Sequence, residues 1–224
     1  MSNRVYLCCT HFSTPPQETD WPAFGDESGT EYEAAYCIPL FWLCLFAPQD
    51  VHLAPGQEGM LDIARDYAFL ACARDEGLAR LKARSAVLRR ALGEERHGLY
   101  LEWLARIARE SYSHVLVRTE ELDMMDEEGQ LRQELLAALL ELDTACASGS
   151  LVIGPVLASL AGLPYPAEPQ RYNAHVLVGT AISAEGWPPA LPEPGPGPGP
   201  GPEPRVESSG AEVVLAARPW WKFW

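Results

Sequence analysis

Tyr36-Cys37-Ile38-Pro39-Leu40-Phe41-Trp42-Leu43-Cys44-Leu45-Phe46 is the densest run of large apolar side chains in the sequence. A bilayer-spanning helix needs roughly 20 such residues, so this run is too short to cross a membrane. Pro39 suits the first turn of a helix, where its missing N–H leaves no bond unmade. The spacing predicts a short helix over 40–46, apolar on every side and therefore central to a core.

The flanking segments read as the cover for that helix. Arg4-Val5-Tyr6-Leu7-Cys8-Cys9-Thr10 has the β-rich character of a strand. Residues 13–30, with Pro15-Pro16, Trp21-Pro22, Gly25 and Gly29, have loop composition, and 31–39 lead into the helix. Ala47-Pro48-Gln49-Asp50 stops the helix, and Pro55-Gly56 marks a turn. From Glu58 to Leu92 apolar residues recur at three- and four-residue steps, which predicts an amphipathic helix that Gly77 can divide and Gly93 caps. A second helix is expected over 94–110, a strand over 113–118 and a third helix from Leu131 to Gly149. The stretch 151–162 is ambiguous, and 174–182 alternates as a strand does. Pro188–Pro204 is a Pro-Gly linker, followed by a strand over 212–217 and the aromatic end Trp220-Trp221-Lys222-Phe223-Trp224. This order does not alternate as a doubly wound fold would. It predicts an α+β fold, helices packed on a small, mainly antiparallel sheet. The expected organisation is one globular domain over 1–186, a linker over 187–205 and a docked C-terminal strand and tail over 206–224.

At 224 residues and 47% apolar, the chain can bury a substantial core. Its formal charge of −14 argues against nucleic acid and anionic membranes as partners. It suits a basic partner, although acidic proteins are also common without one. The N-terminal residues lack the apolar stretch of a signal peptide, which makes the cytoplasm the expected compartment. The six cysteines show no framework spacing and read as reduced core residues. Two lysines against fifteen arginines, with abundant Ala, Pro and Gly, suggest GC-rich bacterial coding.

Catalytic and cofactor signatures are missing, so no residue is assigned to catalysis, a cofactor or a metal. Cys8-Cys9-Thr10-His11 is a lone Cys-x-x-His, and a tetrahedral site needs a second pair. Cys37 and Cys44 could meet His52, His97, His114 or His175 in space, but so apolar a setting raises a thiol's pKa and keeps it inert. Charge says more. Between Val5 and Ala64 there are nine acids and no base, and Glu120 to Glu128 holds six acids and no base. The helix between carries Arg74, Arg80, Lys82, Arg84, Arg89 and Arg90. Either that basic face meets the acidic segments within the fold, or one acidic surface is left for a cationic partner. The residues expected to bind such a partner are Asp26, Glu27, Glu31, Glu33, Glu120, Glu121, Asp123, Asp126, Glu127 and Glu128.

Three short motifs bear on function. Asn3-Arg4-Val5-Tyr6-Leu7, then Tyr36-Cys37-Ile38-Pro39-Leu40-Phe41-Trp42, and Glu120-Glu121-Leu122 after a strand resemble a group of bacterial proteins. These begin Met-x-Asn-Arg-x-Tyr-Leu and carry an Ile-Pro-Leu step before an apolar helix. They look like the immunity proteins that accompany polymorphic toxins. The resemblance spans about residues 1–150, leaves out the linker and tail, and carries over no catalytic residues. It implies a non-enzymatic protein that binds and neutralises a toxin or effector. Two other expectations stand beside it: a small hydrolase or transferase with an unfamiliar site, and an adaptor presenting the Trp-rich tail.

Overall fold

The computed structural model describes residues 3–56, 65–182, 184 and 186–191. Among these, the elements run β1 (Arg4–Thr10), α1 (Trp21–Asp26), β2 (Ser28–Ala35), α2 (Leu40–Leu43), β3 (Val51–Pro55), β4 (Asp66–Ala73), α3 (Arg74–Leu92) and α4 (Glu94–Arg109). They continue β5 (His114–Arg118), α5 (Glu120–Asp123), α6 (Gln130–Ser148), α7 (Pro155–Leu160), α8 (Ala174–Val178) and β6 (Thr180–Ala181). The six strands form one antiparallel sheet in the order β3-β4-β5-β1-β2-β6. β1 lies within it, with Leu7 opposite Tyr32 of β2 on one side and Val117 of β5 on the other.

Side chains alternate across each strand, so the sheet has two different faces. Val5, Leu7, Cys9, Ala68, Leu70, Cys72, Val115 and Val117 point toward the helices and join the main core. Cys8, Tyr67, Phe69, Ala71 and Leu116 point the other way, where Phe24 of α1 and Phe12 form a smaller cluster with them. The protein is thus an α+β fold with its helical layer on one face.

The apolar run 40–46 lies in the main core, with every side chain fully buried. It is shorter as a helix than its composition implies. Pro39 stands just before the first helical residue, and the helix ends after one turn at Cys44. At the end of that turn Leu43 O accepts from Phe46 N–H at 3.2 Å, whereas the buried carbonyls of Cys44, Leu45 and Phe46 need donors from outside the turn. Arg84, 3% exposed on α3, is the main source of them. Its Nη1 donates to the carbonyls of Leu43 (3.3 Å), Cys44 (2.9 Å) and Phe46 (2.8 Å), while Nη2 pairs with Asp143 of α6 at 2.5 Å. Arg80 Nη1 donates to the remaining carbonyl, that of Leu45, at 3.3 Å. On the opposite side of α2, Trp42 Nε1 donates to Val178 O at 2.9 Å. Gly179, at φ +67°, lets α8 end against that indole; a Cβ there would lie 2.5 Å from Trp42 Cζ2.

Four expectations are corrected. The helix anticipated from Glu58 begins only at Arg74. Residues 66–73 are strand β4, paired with β3, which the sequence reading did not anticipate; residues 57–64 lie outside those described. β4 is buried on both faces, so its apolar run lacks the alternation of a half-buried strand and resembles a helix segment. The expected loop over 13–30 contains α1, and the approach to the central helix is strand β2. The strand expected over 174–182 is a helix followed by two strand residues; Asn173 caps the helix by accepting from Val176 N–H. Trp187, expected to open the linker, is 5% exposed with Arg106 stacked on it at 3.8 Å, so the folded body extends beyond 186. The rest of the linker from 192, the strand over 212–217 and the aromatic tail lie outside the described residues.

The Arg84 fork gives a direct test. Arg84→Met keeps the aliphatic stem but leaves three buried carbonyls without this donor. It should destabilise the fold by about 3–5 kcal/mol in urea unfolding followed by circular dichroism. Arg84→Lys should recover only a minor part, because an ammonium lacks the planar fork.

Candidate functional site

The outer face of the sheet carries an open cleft of about 610 Å³, within the ordinary size range of ligand sites. Strand register builds its floor. Tyr6 of β1 lies between Arg118 of β5 and Glu33 of β2, while Cys8 lies between Leu116 and Glu31. α1 raises one wall with Trp21 and Phe24, and Trp21 stays 40% exposed. Arg118 is the centre of this arrangement. Its guanidinium carbon sits 4.7 Å from the Tyr6 ring centre, 5.0 Å from Trp21 and 5.4 Å from Phe24, and its Nη2 pairs with Glu31. Cation–π contacts of this kind hold an arginine in place without neutralising it. Arg4 Nη1 pairs with Glu33 Oε2 at 2.6 Å, and the Arg4 main-chain N–H donates to Glu121 Oε2 at 2.9 Å. Arg4 therefore links the acids of β2 to those of α5.

The ten acids expected to bind a partner divide by environment. Asp26 and Glu27 are exposed at the end of α1, between the lining residues Gly25 and Ser28. Glu31 and Glu33 line the cleft but are paired to Arg118 and Arg4. Glu121 is engaged by Arg4, and Glu120 lies beside Gly56, where an added Cβ would come within 3.6 Å of its Oε1. Asp123 does not belong to the surface. It is 2% exposed, accepts from Ala68 N–H at 3.5 Å and faces Arg65 at 3.8 Å, and burial raises its pKa. Asp126 is half-buried, its pKa raised chiefly by burial and then by Glu134 and Asp123, with the Arg65 charge opposing. Glu127 and Glu128 are exposed. The side chains of Asp26, Glu27, Glu127 and Glu128 make no hydrogen bond or ion pair among the described residues.

The basic face of α3 does not meet these acids. Its ion pairs go to Asp50, Asp75, Glu76, Glu94 and Asp143. Other arginines are engaged by main-chain oxygens: Arg96 by Tyr172 and Gln170, Arg65 by Asp123 and Asp126, Arg74 by Glu110 and Arg90 by Gly149. The preference for arginine over lysine in this sequence thus has a structural use, since a guanidinium can serve several carbonyls at once.

The cysteine candidates are placed apart from any base. Cys9 lies in the main core while His11 is exposed, 3.3 Å from Ser113 Oγ. Among the described residues no three His, Cys, Asp or Glu side chains converge as metal ligands. Burial pushes the Cys37 thiol up to about 11 and those of Cys8 and Cys44 up to about 12. His52, His97, His114 and His175 hydrogen-bond to Ala71 O, Ser85, Ser113 and Thr180 rather than to Cys37 or Cys44. The sequence reading missed Arg118, Tyr6, Trp21 and Arg4. Arg4-x-Tyr6-x-Cys8 is a one-face alternation visible in the sequence, but its meeting with Arg118 needed the strand register. Comparison with known protein families, with curated proteins and with solved structures returned no match.

With pKa values of about 11 to 12, the Cys37 and Cys44 thiols stay protonated at pH 8. Alkylation by iodoacetamide at that pH, mapped by mass spectrometry, should reach half-exposed Cys146 first. Cys37 and Cys44 should react only at the unfolding rate. Labelling of either in the native protein as fast as in urea would contradict the placement.

Proposed function

We propose that this protein is a non-enzymatic neutraliser of a basic toxin or effector domain. In this reading it acts in the cytoplasm, and the acids around α1, β2 and α5 meet the partner's cationic surface. The observation that supports this most is the imbalance of partners. Arg65, Arg84 and Arg96 serve main-chain oxygens besides the single acid that each faces, while Asp26, Glu27, Glu127 and Glu128 have no cation of their own among the described residues. Carboxylates left in this state attract a basic protein over about a Debye length and disfavour acidic competitors. On contact they form charge-assisted hydrogen bonds. The resemblance of the first 150 or so residues to immunity proteins points the same way. Nucleic acid and anionic lipid fit poorly with a charge of −14, and among the described residues no helix is long and apolar enough to cross a membrane.

Reversing Asp26, Glu27, Glu127 and Glu128 to lysine tests this reading. The product of the neighbouring gene is the first partner to try, by surface plasmon resonance and by co-expression rescue from toxicity. The variant should associate at least about tenfold more slowly at low salt, with a flattened salt dependence, and should protect poorly. Unchanged association and full protection would refute the proposal.

A further inference from the structure

We infer that Arg65, Asp123 and Asp126 form a proton-operated latch on the turn between α5 and α6. The latch is fastened while the cluster holds a proton and loosened when both carboxylates are charged. It goes beyond the partner reading and stands on the geometry of the fold. β5 pairs with β4 over Leu70–Ala73, so at Ala68 the β4 main chain needs other partners on that side. α5 takes the place of the strand: Thr119 Oγ1 donates to Ala68 O, and Asp123 Oδ1 accepts from Ala68 N–H at 3.5 Å. Arg65 Nη2 donates to the carbonyls of Asp123 and, at 3.0 Å, of Asp126, which ties the turn to the residue before β4.

The side chains of this joint are poorly matched. Asp123 is 2% exposed, yet its Oδ2 makes no hydrogen bond and lies 3.8 Å from Arg65 Nη2. Arg65 Nε is also buried without a hydrogen-bond partner. Charge is as uneven. α5 packs on β1, β4 and α6. Glu128 of the turn acts on Asp123, while Glu134 of α6 and Asp123 itself act on Asp126. β1 brings Arg4, whose guanidinium goes to Glu33. Among the described residues Arg65 is the one cation whose charge is felt by both carboxylates. Burial beside acidic neighbours favours the neutral acid, and burial is the main cause raising the pKa of both Asp123 and Asp126. An acid whose pKa is higher folded than unfolded stabilises the fold most while protonated. That contribution is lost as pH rises through the folded pKa. Rising pH therefore loosens the turn that carries Glu127 and Glu128.

Carboxyl 13C NMR of the full-length protein should find Asp123 and Asp126 losing their protons above the ordinary aspartate value of about 3.9. The Met124, Met125 and Asp126 amides donate to the carbonyls of Glu120, Leu122 and Asp123. Between pH 4 and pH 7 their hydrogen-exchange protection, corrected for intrinsic exchange, should fall at least about tenfold. Asp123→Asn keeps the shape of the neutral acid and should lose far less protection. Its folded-to-unfolded ratio in urea, relative to wild type, should rise over the same range by about tenfold per unit by which the pKa is raised. Glu127→Gln, an exposed acid of the same turn, should behave as wild type. If Asp123→Asn does not fold, the wild-type titration and exchange decide the matter. Titration of both acids at or below the ordinary value would overturn the latch. So would protection that does not fall with pH, or that falls equally in Asp123→Asn.

Discussion

A guanidinium buried among carbonyl oxygens holds the centre of this protein. The run Leu40–Phe46 is too apolar to leave the interior and makes only one helical turn there. Its main chain therefore brings carbonyls that the single turn does not fully satisfy into a low-dielectric core, where each unmade bond would destabilise the fold. Arg84 reaches in from α3 and donates to those of Leu43, Cys44 and Phe46, the first of which also accepts from Phe46 N–H, while Asp143 on α6 balances its charge at 2.5 Å. One side chain thereby joins α2, α3 and α6. The same device recurs where Arg96 meets the segment before α8 and where Arg65 meets α5.

This use of arginine shapes the surface. A chain with 17 basic and 31 acidic residues is already unbalanced, and guanidinium N–H groups given to main-chain oxygens leave fewer for carboxylates, although Arg84 and Arg74 each keep one acidic partner as well. The sheet then separates two kinds of environment. Its inner face is continuous apolar core. Its outer face is only partly covered, by α1 and a small cluster, and carries a cleft whose lining charges, Arg4, Arg118, Glu31 and Glu33, pair with one another. Arg4 draws together acids from β2 and α5 that are about ninety positions apart in sequence.

Much of the fold was legible where one face of an element is solvated. β1 matched its expected bounds, α4 and α6 followed from their apolar stripes, and α3 and α6 stop at the expected Gly93 and Gly149, both with positive φ. Reading failed where burial removes periodicity. β4 is apolar on both faces, and in the sequence its run is continuous with the apolar pattern of α3. Position also misled: α8 has a clear Asn173 cap and Gly179 stop, yet its five residues are too few for a helical period to show. The acidic blocks were visible in the sequence, but burial decides membership, and Asp123 turned out to serve the main chain of β4. The cleft was not legible at all, because Arg118 and Tyr6 meet through a register that no local pattern encodes.

The central claim is that arginines in this protein serve buried carbonyls and so leave surface acids without cations. Guanidinium N–H exchange measured by 15N NMR tests it most directly. The account predicts separate, slowly exchanging Nη protons for Arg84 and Arg96, with through-hydrogen-bond couplings from Arg84 to the carbonyls of Leu43, Cys44 or Phe46. Exposed Arg132 should exchange rapidly. Exchange at Arg84 as fast as at Arg132 would contradict it.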